Sequence, residues 1–201
     1  MMIYLEFLPS FIQDLPNSPI PFVSLFGQIV CVGVVEELWK SFPIIGYLIW
    51  KRERADPMVT LLVGVFSGLG FVVLENVDYG YHAIRLSAYA TVLDGPGGFT
   101  RGVQTSMSMI LMRSLSLVLL HAIWSGIVAY FLALASITRM RWIALYLTGL
   151  LIAGLLHGLY NWWLNVLSTV SVSIAAASLL LFYAYVAKLR HLTGQGEQTV
   201  A

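Results

Sequence analysis

Long uninterrupted apolar runs are the feature that most constrains what this chain can fold into. A helix needs about 20 consecutive apolar residues to cross roughly 30 Å of hydrocarbon, and several runs here exceed that length. Only 10% of the 201 residues are charged, whereas about 25% is typical of soluble domains. Because a spanning segment must satisfy its backbone hydrogen bonds internally, the sequence predicts an all-α, polytopic transmembrane helix bundle, with the lipid bilayer as its surroundings.

The apolar runs are separated by charged residues and by Gly- and Pro-containing turns, which predicts about five spans in a single integral membrane domain, residues 1–201. Residues 1–20 contain prolines and acidic residues without a basic start, which indicates an interfacial segment and not a signal peptide. A loop containing Asp94-Gly-Pro-Gly-Gly98 is expected between the second and third spans, because this cluster is a strong turn signal. Residues 191–201 are expected to form a polar tail. The predicted spans are 22–50, 58–81, 105–136, 142–167 and 170–188.

Basic residues collect at alternate ends of these spans, which predicts an orientation. The residues concerned are Lys51, Arg52, Arg54, Arg139, Arg141, Lys188 and Arg190. The positive-inside rule then places the N-terminus outside and the C-terminus in the cytoplasm. A net charge of +1 gives no reason to expect a nucleic-acid partner. The expected location is the cytoplasmic (inner) membrane of a prokaryote.

Ionisable side chains recur at one depth within the predicted spans. Such side chains cost about 2.5–3.5 kcal/mol each at the middle of a membrane helix on insertion scales, so they usually mark function. Counted at about 1.5 Å per residue from the cytoplasmic ends, Glu37 lies about 20 Å deep and Glu75 about 25 Å. The same count places His121 at about 24 Å and His157 at about 22 Å. Four residues on four spans share a layer, which predicts one common site.

Glycines lie on the same helix faces as two of these residues. Gly64 and Gly68 precede Glu75 at helical spacing, and Gly154 precedes His157 in the same way. Small residues let helices approach each other closely in lipid. We therefore expect both faces to point into the bundle.

Carboxylates and imidazoles in one site can activate a water molecule with the help of a metal ion. A catalytic Zn²⁺ needs three protein ligands and one open position. Glu75, His121 and His157 supply that number, and Glu36 or Glu37 would then act as the general base. The sequence contains no HExxH motif that would select this alternative.

The same residues also allow hydrolysis without a metal. Glu36 and Glu75 could hold and deprotonate the water directly. His157 and Asn161, one helical turn apart, would then donate hydrogen bonds to the developing oxyanion. The residues leave the two alternatives open.

Other interpretations of these residues compete with a catalytic one. Lys40 follows Glu36 by four residues and Glu37 by three, so these charges could simply neutralise each other. Ser125 and Gly126 are interpreted as packing residues. The acids and histidines could form a relay in a transporter or a proton- or ion-handling protein, although no inverted repeat is found. A catalytically inactive relative that binds membrane partners is a third alternative, against which the full set of polar residues argues.

Four motifs, one on each of the first four spans, resemble those of the PrsW family of intramembrane proteases. This family lies in the superfamily that includes the type II CAAX-prenyl proteases. Two positions depart from the usual pattern: Ser125 stands where the family has glycine, and Asn161 where it often has aspartate. The motifs are Glu36-Glu37-Leu-Trp-Lys40, Phe71-Val-Val-Leu-Glu75-Asn76, His121-Ala-Ile-Trp-Ser125 and His157-Gly-Leu-Tyr-Asn161.

The resemblance implies an intramembrane endopeptidase that cleaves a membrane-anchored protein substrate. Its hydrophilic site would lie inside a bundle of membrane helices. Members of the wider group are described both as metalloproteases and as glutamate-dependent proteases, so the resemblance leaves the metal question open. By analogy, Glu36 activates the water, and Glu37 is the partner of Lys40.

Overall fold

A computed structural model describes residues 9–138 and 141–198 and contains only helices and turns within those ranges. Five of these helices are long and apolar enough to cross a membrane, which confirms the predicted all-α polytopic bundle. Residues 1–8 of the predicted interfacial segment, Arg139, and residues 199–201 of the predicted tail lie outside the described residues. The five long helices are α1 (Pro21–Lys51), α2 (Pro57–Asp94), α3 (Pro96–Thr138), α4 (Trp142–Val166) and α5 (Ser168–Gln198).

Helix α3 occupies the centre of the bundle. It packs against each of the other four helices, and its apolar half, Leu117–Thr138, contributes most of the buried core. Trp124 and Ile127 are fully buried in this half. His121, on the same stretch, is consequently enclosed by neighbouring helices and shielded from lipid.

Helix α1 changes its winding next to the two glutamates of the first motif. Residues Gln28–Val34 are π-helical, between α-helical turns on either side. A Cβ atom on Gly33, within this stretch, would overlap the carbonyl oxygen of Gly154 on α4. The two backbones therefore touch, and π-helical turns of this kind are frequent at functional sites.

A second close approach joins α2 to α3. A Cβ atom on Gly64 would overlap Ala129, and one on Gly68 would overlap the backbone carbonyl of His121. Together with the contact at Gly154, these contacts confirm that the glycine-bearing faces point into the bundle.

The segment between the second and third spans is a helical hairpin, unlike the predicted loop. Helix α2 continues to Asp94, α3 begins at Pro96, and Gly95 joins them with a φ of 71°. That φ lies in the left-handed region that glycine adopts without steric cost. The turn therefore lies where the sequence predicts it, but its flanks are helical. Similarly, α5 continues to Gln198, through part of the predicted polar tail.

Candidate functional site

Four helices bring the predicted site residues to one place. Glu36 and Glu37 come from α1, Glu75 from α2, His121 from α3 and His157 from α4. All five are buried, and the most exposed of them, Glu75, is 6% accessible. The shared depth seen in the sequence thus corresponds to a real cluster. Asn161 lies one turn beyond His157 on α4 and is half-buried.

Glu37 is held by three polar side chains. Its Oε1 accepts a hydrogen bond from Lys40 Nζ at 2.7 Å and lies 3.1 Å from His157 Nδ1. Its Oε2 accepts a hydrogen bond from Ser125 Oγ at 3.3 Å. An ionised carboxylate can only accept hydrogen bonds, so His157 donates through Nδ1. In the neutral ring, the lone pair is then on Nε2.

Glu36 faces that second nitrogen. Its Oε2 lies 3.7 Å from His157 Nε2 and 3.3 Å from Lys40 Nζ. The predicted pairing of Lys40 with both glutamates is thus confirmed. The Lys40 ammonium also lies 4.6 Å from the ring centroid of Phe71, a favourable cation–π distance. Lys40 therefore belongs to the site as a buried counterion.

His121 connects the α2 carboxylate to the rest of the site. Its Nε2 lies 3.6 Å from Glu75 Oε2, and its ring centroid is 5.1 Å from that of His157. The two histidines and the two carboxylates, Glu36 and Glu75, therefore form one continuous polar cluster.

Three residues of the cluster could hold a metal ion together. Glu36, His121 and His157 each offer a ligand atom, and these atoms lie within 4.8 Å of one another. One carboxylate and two imidazoles form a donor set typical of catalytic zinc. Among the described residues, the structure therefore groups Glu36 with the two histidines, whereas the sequence suggested Glu75. The set of Glu75, His121 and His157 stays a prediction.

Two residues of the third motif contribute more than the sequence indicated. Ser125 was interpreted as a packing residue, but its hydroxyl binds Glu37. The Trp124 ring stacks on His157, with the centroids 4.3 Å apart and the planes at 17°. The only signal in the sequence was position, because Ser125 follows His121 by one turn. Gly126 does pack as expected, against the ring of Phe182.

Together, the fold and the site define a polytopic membrane protein that buries one carboxylate and two imidazoles, a ligand set of the kind found at catalytic metal sites, inside its helix bundle. The chain matches the family described as PrsW family intramembrane metalloprotease over residues 2–189. It belongs to that family, and it is an integral membrane protease. Comparison with curated proteins and comparison with solved structures found no match.

Proposed function

We propose that this protein is an intramembrane endopeptidase whose hydrolytic centre is built on Glu36, His121 and His157. The observation that carries the proposal is the convergence of these three buried side chains from three helices. If a zinc ion is bound, these residues hold it, and it supplies a polarised carbonyl and an acidified water. The remaining side chains of the cluster then have separate tasks.

Glu75 is the carboxylate we assign as general base. It lies beside His121, 3.6 Å from that ring, and outside the proposed ligand set. Its carboxylate takes a proton from the water as the water oxygen bonds to the peptide carbon. The same proton passes to the amide nitrogen as the carbon–nitrogen bond breaks, which yields an acid and an amine.

The other residues orient these groups. Glu37 fixes His157 through Nδ1, an arrangement that sets ring direction and tautomer in many metal sites. Lys40 holds both α1 carboxylates. Asn161, one turn from His157 on α4, is the residue we assign as donor to the oxyanion that forms on the substrate carbonyl.

The substrate we propose is a membrane-anchored protein, cleaved in or near the bilayer. The depth of the buried site supports this, because a peptide bond must reach residues that lie inside the helix bundle. The charge pattern of the loops supports an orientation with the C-terminus in the cytoplasm, and the membrane we propose is the cytoplasmic membrane of a prokaryote.

The proposal is tested in proteoliposomes with a pool of single-span peptides whose flanking segments are randomised. We expect the purified protein to cleave a subset, and His157→Ala to abolish the products seen by mass spectrometry. His191→Gln, at an exposed histidine of α5, is the control and should cleave normally. Circular dichroism verifies that both variants are folded.

A second readout in the same vesicles addresses the relay alternative. Vesicles loaded with a pH-sensitive dye report proton movement. Proton flux that His157→Ala removes, without peptide cleavage by the unaltered protein, would contradict the protease proposal.

A further inference from the structure

Trp124 lies against the two histidines of the site. Its side chain is fully buried and stacks on the His157 ring at 4.3 Å. Its centroid is also 5.8 Å from that of His121. Trp124 therefore contacts both histidines of the proposed ligand set.

The indole of Trp124 is anchored by a helix that carries no site residue. Trp124 Nε1 donates a hydrogen bond to Ser178 Oγ on α5 at 3.1 Å. The Ser178 hydroxyl donates in turn to the carbonyl of Ile174 at 2.8 Å. Because its proton is used there, the serine oxygen presents a lone pair to the indole N–H. Ser178 is completely buried, so no water competes for this bond.

Contacts on both sides of Ser178 hold α5 in place against α4 and α3. Ser171 Oγ donates to the carbonyl of Tyr160 on α4 at 3.0 Å. One turn after Ser178, the ring of Phe182 fills the space beside Gly126 on α3. Spacings of seven and four residues place these three side chains on one helix face. The anchor is therefore part of the α5 interface as a whole.

The direction of the second ring nitrogen of His157 depends on the orientation of the ring plane. The bond to Glu37 restrains Nδ1, but a single hydrogen bond tolerates a range of angles, and the terminal side-chain torsion of histidine is broad. A flat surface against the ring narrows that range. Trp124 supplies the surface, since its plane lies within 17° of the His157 plane.

We propose that Trp124 and Ser178 form a positioning pair that fixes the ring plane of His157, so that α5 contributes to the reaction through this ring. The catalytic part of this inference rests on the proposed function. The positioning part concerns the ring of His157 alone and can be measured without a substrate.

The structural test compares Ser178→Ala with Ser173→Ala. Ser173 is the matched control, because it lies on α5 but is exposed and bonds its own helix at Thr169. The probe is the Cε1–H NMR signal of His157 in micelles, identified by its loss in His157→Gln. Ring current from the indole should shift this signal upfield of the signal of exposed His191.

We expect Ser178→Ala to move the His157 signal towards that of His191, and Ser173→Ala to leave it in place. Trp124→Leu should abolish the upfield shift and so verify its origin. An unchanged signal in Ser178→Ala would overturn the inference.

The kinetic test uses the best-cleaved peptide of the pool. We expect Ser178→Ala to lower kcat by about tenfold with KM unchanged, since small misplacements of a reacting group lower rates by such factors. A kcat equal to that of Ser173→Ala would overturn the catalytic part, whatever the NMR signal does. A lack of cleavage by the unaltered protein would instead count against the proposed function, while the NMR comparison still decides the positioning part.

Discussion

Lys40 carries the positive charge that keeps two buried carboxylates together. Its Nζ lies 2.7 Å from Glu37 and 3.3 Å from Glu36, and all three side chains are inaccessible to solvent. Removing one member of a buried ion pair costs about 3–5 kcal/mol, because the other charge stays buried without compensation. We expect Lys40→Met to lower the free energy of unfolding by about that amount, as measured by denaturant titration in micelles.

The control for this substitution is Lys51→Met at the far end of the same helix. Lys51 lies over the ring of Trp50 and is only partly buried. Its loss should change the free energy of unfolding by less than about 1 kcal/mol. Equal effects of the two substitutions would contradict the buried-counterion account.

The two proposed ligand sets predict opposite behaviour for Glu36 and Glu75. If Glu36 is a ligand and Glu75 the base, Glu36→Gln loses both bound metal and cleavage. Glu75→Gln then keeps the metal and loses only cleavage. Metal equivalents measured by mass spectrometry on the purified variants distinguish the sets. Metal retained by Glu36→Gln and lost by Glu75→Gln would favour the set suggested by the sequence.

The sequence predicted the ionisable members of the site but not their supporting residues. A glutamate or histidine deep in a membrane helix is costly, so Glu75 and His157 are conspicuous in an apolar run. Placing Trp124 or Ser125 in a membrane helix costs little free energy, so neither residue stands out as functional in the sequence. Their partners, Glu37 and Ser178, lie on other helices, and only the packing of those helices brings them together.

At the scale of elements, glycine contacts set the distance between α1 and α4. A Cβ atom on Gly33 would overlap the Gly154 carbonyl, whereas one on Gly46, later in α1, would meet nothing within 4 Å. We expect Gly33→Ala to lower the free energy of unfolding by about 1–3 kcal/mol, as overpacked sites do, and to reduce peptide cleavage. Denaturant titration and the proteoliposome assay measure the two effects.

Gly46→Ala is the matched substitution on the same helix. Alanine favours helix over glycine by about 1 kcal/mol, so this variant should be at least as stable as the unaltered protein and fully active. A Gly33→Ala variant that behaved in the same way would show that α1 and α4 do not touch there.

Element boundaries were less predictable than the number of spans. Bilayer thickness imposes a minimum length on each spanning helix, so the five spans can be recognised in the sequence as long apolar runs. Leaving the bilayer does not oblige a helix to end, and α2 accordingly continues to Asp94. Ser87 packs on Gly102 across the hairpin, a contact that no local pattern indicates. The π-helical turns at Gln28–Val34 likewise pack against α4, a contact that no local pattern indicates.

At the scale of the whole molecule, the orientation in the membrane stays a prediction from the loop charges. Fusions test it in a bacterial host, because green fluorescent protein fluoresces in the cytoplasm and alkaline phosphatase is active outside it. We expect a C-terminal fluorescent protein to fluoresce and an N-terminal phosphatase to be active. The opposite pattern would contradict the positive-inside assignment.

The proposed hydrolytic centre depends most on one carboxylate. Glu36 is fully buried and is, among the described residues, the acid grouped with both histidines. Asp14 is an exposed acid outside the five helices, and Asp14→Asn serves as the control.

The most direct measurement is the rate at which Glu36→Gln cleaves the best peptide of the pool in proteoliposomes. We expect a loss of at least about a thousandfold, since the residue is assigned to the hydrolytic centre itself, while Asp14→Asn keeps the unaltered rate. Cleavage by folded Glu36→Gln at the rate of the Asp14→Asn control would contradict the assignment of this site.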